Sequence, residues 1–129
     1  MTTREITLEN LPATVRDNDI VLLDFWAAWC GPCGMFAPVF ERASAANPEI
    51  VFGKVDTEAQ QQLAGVFGIT SIPTLVAFRG GVVVFAQPGA LPAPALDELI
   101  EAVRALDMDE VRAELDRERD AAQGAEAAR

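Results

Sequence analysis

The chain has no histidine, one lysine (Lys54) and only two cysteines among its 129 residues. Two cysteines are too few for the disulfide framework of a small secreted scaffold or for a four-thiolate zinc site, and no histidine is present to make up the number. No metal site is therefore expected. No apolar stretch reaches the roughly 18 residues that a membrane span needs, and Met1-Thr2-Thr3-Arg4-Glu5-Ile6 lacks the basic and then apolar regions of a signal peptide. Positive charge is also scarce: 10 Lys and Arg face 20 Asp and Glu, for a net charge of −10. Phosphate backbones and anionic lipid repel such a chain, so nucleic acid and membrane surfaces are disfavoured as partners. The expected compartment is the cytoplasm, where reducing conditions favour a catalytic or sensing thiol pair over a structural disulfide.

Half of the residues are hydrophobic and 23% are charged, the composition of a folded soluble protein. The length allows one domain with a sizeable core. Glu5 to Leu8 is predicted as a short edge strand. Asn10-Leu11-Pro12 suits a helix start with proline in the first turn, and Asp17-Asn18-Asp19 ends that helix. Ile20 to Ala28 is almost continuously apolar, as in a strand covered on both faces, and only Asp24 interrupts it. Phe36, Ala37, Phe40 and Ala43 recur at helical spacing, which places Cys33 in the first turns of a helix to about Ala46, with a kink expected at Pro38.

Ile50 to Val55 reads as the next strand, and Thr57 with Gln60 as a capping box opening a helix to about Phe67. This strand and helix alternation implies parallel crossovers. Thr74 to Phe78 and Val82 to Ala86 then flank Arg79-Gly80-Gly81, whose glycine pair suits a tight antiparallel hairpin. After the turn-like Gln87-Pro88-Gly89-Ala90, the residues Leu96, Leu99, Ile100, Val103 and Leu106 form the apolar stripe of a final covering helix. The expected architecture is α/β: a mixed sheet of about five strands, three parallel plus an antiparallel hairpin, with helices on both faces. Residues 1–106 are read as the domain and 107–129 as a charged helical extension, solvated and fraying.

Both cysteines lie in Trp29-Cys30-Gly31-Pro32-Cys33, directly after the apolar strand. Exchange of a dithiol for a disulfide needs a thiolate that attacks in line with an S–S bond. Cys30 stands where a helix begins, so unpaired backbone N–H groups and the helix dipole favour its anion. Two intervening residues let Cys33 fold back behind it, and Pro32 costs little there because its missing donor had no partner. Cys30 is accordingly read as nucleophile and Cys33 as resolving thiol. Half of a metal site completed by another chain, or a pair of inert buried thiols, are the alternatives. Asp24 is an ionisable group in a run that should be buried, so desolvation should raise its pKa.

The segment Phe25-Trp26-Ala27-Ala28-Trp29-Cys30-Gly31-Pro32-Cys33, followed by Met35, Ala37 and Pro38, resembles the active site of the thioredoxin family. Ser71-Ile72-Pro73-Thr74-Leu75 resembles that family's cis-proline loop and Pro88-Gly89-Ala90 its Gly-Ala substrate loop, so the likeness covers about residues 4–106. It implies a thioredoxin fold with no bound cofactor and a redox-active Cys30–Cys33 disulfide. It further implies electrons from NADPH through a thioredoxin reductase, disulfide-bearing client proteins as substrates, and a monomer.

By the same resemblance Asp24 is a buried carboxyl beneath Cys33 that takes its proton during resolution, and Lys54 is the partner of Asp24. The Ile72–Pro73 peptide is expected to be cis. Trp29, Gly31, Pro32, Ile72, Gly89 and Ala90 are expected to form a flat docking surface on which a client adds as a strand. Each has a plainer reading beside it: a satisfied structural aspartate, a solvated lysine, core packing for Trp29 and Ile72, ordinary turns for the glycines. Trp26 is read as core support. The chain departs from the family at Gly34, where lysine is frequent, and in the segment after Leu106. The competing function is a binding or holdase module in which docking surface and tail matter more than thiols.

Overall fold

Alternation along one strand, Ile20–Trp26, divides the interior into two cores. In the computed structural model, which describes residues 2–127, the order is β1 (Thr3–Glu5), α1 (Leu11–Asp17), β2 (Ile20–Trp26), α2 (Gly31–Ala46), β3 (Val51–Asp56), α3 (Gln61–Val66), β4 (Thr74–Arg79), β5 (Val82–Pro88), α4 (Ala93–Arg104) and α5 (Met108–Ala127). The strands form one sheet in the order β1-β3-β2-β4-β5. β1, β3 and β2 run parallel, whereas β4 is antiparallel to β2 and β5 to β4. The mixed sheet of three parallel strands and a hairpin is the one expected from the sequence.

Successive side chains of a strand point to opposite faces. Ile20 and Leu22 of β2 therefore join Phe52, Leu75 and Ala77 on one face, beneath Phe36 and Phe40 of α2 and Leu96 and Ile100 of α4. Val21, Leu23 and Phe25 point the other way, among Val55, Val76 and Phe78, under Leu63 of α3 and Val15 of α1. β2 is buried from Ile20 to Phe25, as an apolar run in the middle of a covered sheet must be. By the same alternation Asp24 shares its face with Leu22 and lies on the side covered by α2.

Several boundaries differ from the sequence reading. The first strand is Thr3–Glu5, not Glu5 to Leu8. Ile6 still donates its N–H to the Lys54 carbonyl, but from Thr7 the chain turns, because the Asn10 side chain accepts from Thr7 N. α3 begins at Gln61, without the Thr57 capping box. The Thr57 hydroxyl donates instead to the Trp26 carbonyl, and Gln60 Oε1 accepts from Leu8 N. α2 runs through Pro38 to Ala46. α5 is tied at its start to the rest of the molecule: Asp107 Oδ1 accepts from the amides of Asp109 and Glu110, and Arg112 Nη2 donates to the Gly80 carbonyl at 3.0 Å.

Candidate active site

The three parallel strands point their C-terminal ends to one edge of the sheet, where open α/β sheets place their chemistry. At that edge β2 delivers Trp29 and Cys30, and α2 starts immediately after them. Cys30 is the N-cap of α2 with φ −89° and ψ 112°, and Pro32 occupies the first turn. Extended backbone at this position lets a side-chain acceptor turn back onto the first free amides of the helix. The acceptor here is sulfur: Cys33 N–H donates to Cys30 Sγ at 3.2 Å. The two cysteines are joined as a disulfide, with Cα atoms 5.3 Å apart.

Both are shielded, Cys33 at 3% exposure and Cys30 at 8%. Cys30, expected to be open to attack, is thus only the more accessible of two covered residues, packed with Ala27, Trp26 and Ile72. Cys30 Sγ also lies 3.7 Å from the Ile72 carbonyl oxygen, a position from which a reduced thiol can donate. The Ile72–Pro73 bond is cis. Beyond it, the Pro73 carbonyl accepts from Gly89 N at 2.8 Å. Gly89 has φ +111°, in the region that favours glycine. Ala90 follows it, exposed. Gly31 and Pro32 are exposed at the mouth of α2.

Trp29 is 70% exposed, which excludes core packing for it. Of the predicted docking residues, Trp29, Gly31 and Pro32 flank the cysteines in the β2–α2 junction and Ile72 packs on Cys30, while Gly89 is joined to this edge through its bond to the buried Pro73. Among the described residues no group of three or more His, Cys, Asp or Glu could hold a metal ion.

Asp24 is fully buried, and neither carboxylate oxygen has a hydrogen-bond partner among the described residues. Burial pushes its carboxyl up from the ordinary value to about 6, with the Lys54 charge pulling the other way. Lys54 is its register partner on β3, so the expected juxtaposition holds at the backbone. The expected ion pair does not form: the Lys54 ammonium lies over the Trp26 ring, 5.0 Å from its centroid. A ring face attracts a cation and competes with the carboxylate for it.

Two residues of this edge have no role assigned from the sequence. Met35 is 75% exposed just after the dithiol. Glu58 accepts a 2.6 Å hydrogen bond from Trp29 Nε1. Parallel pairing of Trp26 with Asp56 brings the residues following each strand side by side, and that pairing is the signal from which the second contact could have been read.

Comparison with known proteins agrees with this geometry. Residues 2–102 match the Thioredoxin family. A protein of Streptomyces coelicolor described as a putative thioredoxin 2 is 64% identical over 110 residues, covering 85% of this chain and 82% of that one. Thioredoxin of Bacillus subtilis is 44% identical over 82 residues, covering 63% of this chain and 79% of its own. Among solved structures, a thioredoxin point variant from Halobacterium salinarum superposes with a TM-score of 0.75 at 36% identity, over 81% of this chain and 92% of that one. With the disulfide at the N-terminus of α2, the mixed five-stranded sheet and these relatives all in agreement, the chain belongs to the thioredoxin family and is a thiol–disulfide oxidoreductase.

Proposed function

We propose that this protein-disulfide reductase works as a directional dithiol, with Cys30 attacking the client and Cys33 releasing it. The observation that carries this reading is the helix cap. The sulfur that accepts the Cys33 amide at the positive end of α2 is the one whose anion is stabilised when the disulfide is reduced. In the reduced chain the Cys30 thiolate attacks one client sulfur. That S–S bond breaks, the other client sulfur leaves as a thiolate, and a mixed disulfide forms. Cys33 then loses its proton and attacks Cys30 Sγ, which expels the second client thiolate and regenerates the Cys30–Cys33 disulfide. Two electrons pass from the protein thiols to the client.

Asp24 is the group we assign to receive the Cys33 proton, through water. It is buried on the α2 side of the sheet, its oxygens without a partner among the described residues, and its pKa of about 6 suits proton transfer near neutral pH. Lys54 modulates that carboxyl by its charge. Trp29, Gly31, Pro32, Ile72, Pro73, Gly89 and Ala90 receive the client as an added strand. The oxidised chain is re-reduced by a thioredoxin reductase drawing on NADPH, and it acts as a monomer in the cytoplasm. No described helix is long and apolar enough to cross a membrane.

Cys33→Ser should accumulate a covalent complex with a disulfide-bearing protein, visible on non-reducing gels and lost on adding dithiothreitol. Cys30→Ser should form none. The opposite pattern overturns the assignment of roles.

A further inference from the structure

A cavity of about 300 Å³ opens beside the disulfide, lined by Trp29, Thr57, Ala64, Ile69, Thr70 and Ile72. Its two walls flank the attacking sulfur. Trp29 precedes Cys30 in the chain, and the Ile72 carbonyl lies 3.7 Å from Cys30 Sγ. A client segment that brings a half-cystine onto Cys30 therefore lays a neighbouring side chain over this cavity.

One carboxylate adjoins two of these lining residues, following Thr57 in the chain and bonded to Trp29, and it is held in place. Thr57 donates from both its amide and its hydroxyl to the Trp26 carbonyl, at 2.9 and 3.0 Å. Glu58 N donates to Asp56 Oδ1 at 2.9 Å. The turn so pinned points the Glu58 carboxylate at the Trp29 indole N–H, 2.6 Å away. Among the described residues neither Glu58 nor Asp56 forms a salt bridge. The lone lysine is engaged over Trp26, and position 34, one residue past the dithiol, is glycine. The chain thus offers an aromatic and aliphatic slot beside a fixed carboxylate that, among the described residues, no cation pairs with.

We infer that this slot is a client subsite selecting a lysine or arginine next to the attacked half-cystine, with Glu58 as its specificity-determining residue. The side chain's methylene stem packs against the indole and Ile72, and its charged head meets Glu58, the arrangement long basic side chains adopt on apolar surfaces. Glu58 acts twice here: its oxygen fixes the indole, and its charge selects the head group. The inference rests on the reading of Cys30 as the attacking sulfur.

The test uses three short peptides, each with one cysteine joined to thionitrobenzoate and with lysine, norleucine or glutamate beside that cysteine. Release of the coloured thiolate by the reduced protein gives a second-order rate constant without any reductase. The wild type is expected to prefer the lysine over the glutamate peptide by about fivefold at low ionic strength, less at high salt. Glu58→Gln keeps an acceptor for the indole but loses the charge, and should bring the ratio below about twofold. Glu58→Lys should invert it.

Equal rates for all three peptides with the wild type, or a ratio unchanged in Glu58→Gln, overturn the subsite while leaving Cys30 as nucleophile. A wild type that reacts with none of the peptides removes the Cys30 reading and this inference together.

Discussion

Lys54 stands directly opposite Asp24 in the β2–β3 ladder, yet its ammonium lies over the Trp26 ring, and among the described residues neither carboxylate oxygen has a partner. A buried carboxyl in that position resists ionisation, and its pKa rises from 3.8 to about 6. The folded chain therefore keeps a proton on Asp24 at pH values where the unfolded chain has released it. Stability from this group is fully present below pH 3.8, falls as pH rises, and is lost above about pH 6.

Asp24→Asn removes that titration. A shift from 3.8 to about 6 corresponds to at most about 3 kcal/mol at alkaline pH, at about 1.4 kcal/mol per unit. The substitution should raise stability relative to wild type by about 1 kcal/mol more at pH 8 than at pH 5. Urea unfolding at the two pH values measures this, and an identical stability difference at both would show that Asp24 does not titrate in this range.

The same carboxyl should appear in the chemistry. If Asp24 takes the Cys33 proton, release of the second client thiolate should accelerate as pH rises through about 6. In Asp24→Asn the step should slow by about tenfold or more, and that inflection should vanish. Stopped-flow measurement of decay of the Cys30 mixed disulfide, across pH 5 to 8, separates this from a structural role. A variant with the wild-type profile would leave Asp24 as a buried structural group.

Gly34 is not required by packing. It is exposed, and a Cβ built there meets nothing within 4 Å. Gly34→Lys should therefore fold, with a helix-propensity gain of about 0.7 kcal/mol, partly offset by placing a cation near the positive end of α2. The added charge should lower the Cys30 thiol pKa in the reduced chain, and less so in high salt. Alkylation by iodoacetamide as a function of pH reads that shift. No change in the profile would mean that the helix cap alone sets the thiolate.

Much of this arrangement is legible in the chain because it is encoded locally. The run from Ile20 to Phe25 could bury both faces only inside a covered sheet, and the spacing of Phe36, Phe40 and Ala43 suits only one helix face. Gly80 and Gly81, with φ of +58° and +82°, marked the hairpin. β1 was harder to place because Thr3-Arg4-Glu5 has no apolar alternation; backbone pairing with β3 holds it there. Thr57 carried a capping signature, but a distant carbonyl on Trp26 competed for its hydroxyl.

The site divides in the same way. Cys30, Cys33 and Pro32 announce themselves by spacing, whereas the contact of Trp29 with Glu58 spans 29 positions and depends on how two strands pair. Lys54 shows the limit from the other side. Its register opposite Asp24 follows from the sheet, but its choice of the Trp26 face over the carboxylate depends on side-chain packing.

The start of α5 lies against the end of the sheet remote from the dithiol, where Met108 and Arg112 approach Gly80, and its contribution can be separated from that of Arg79. Arg79 is 18% exposed at its side chain. Its Nη1 donates to the carbonyls of Val103 and Arg104 at 2.7 and 3.1 Å, while Nε meets both oxygens of Asp19. It closes the C-terminal end of α4, so Arg79→Ala leaves those carbonyls without their charged donor and should cost about 2 to 3 kcal/mol. α5 is held by less: Arg112 reaches the Gly80 carbonyl, and Met108, Val111 and Leu115 are only half-buried. Truncation after Leu106 keeps every Arg79 contact and should cost about 1 kcal/mol or less. Because Gly80 follows β4 at the end opposite Thr74 and the cis-proline loop, the truncated chain should also reduce the thionitrobenzoate peptides at the full-length rate. Urea midpoints and those rates decide the matter. A loss of stability as large as that of Arg79→Ala would place residues 107–129 within the folding unit.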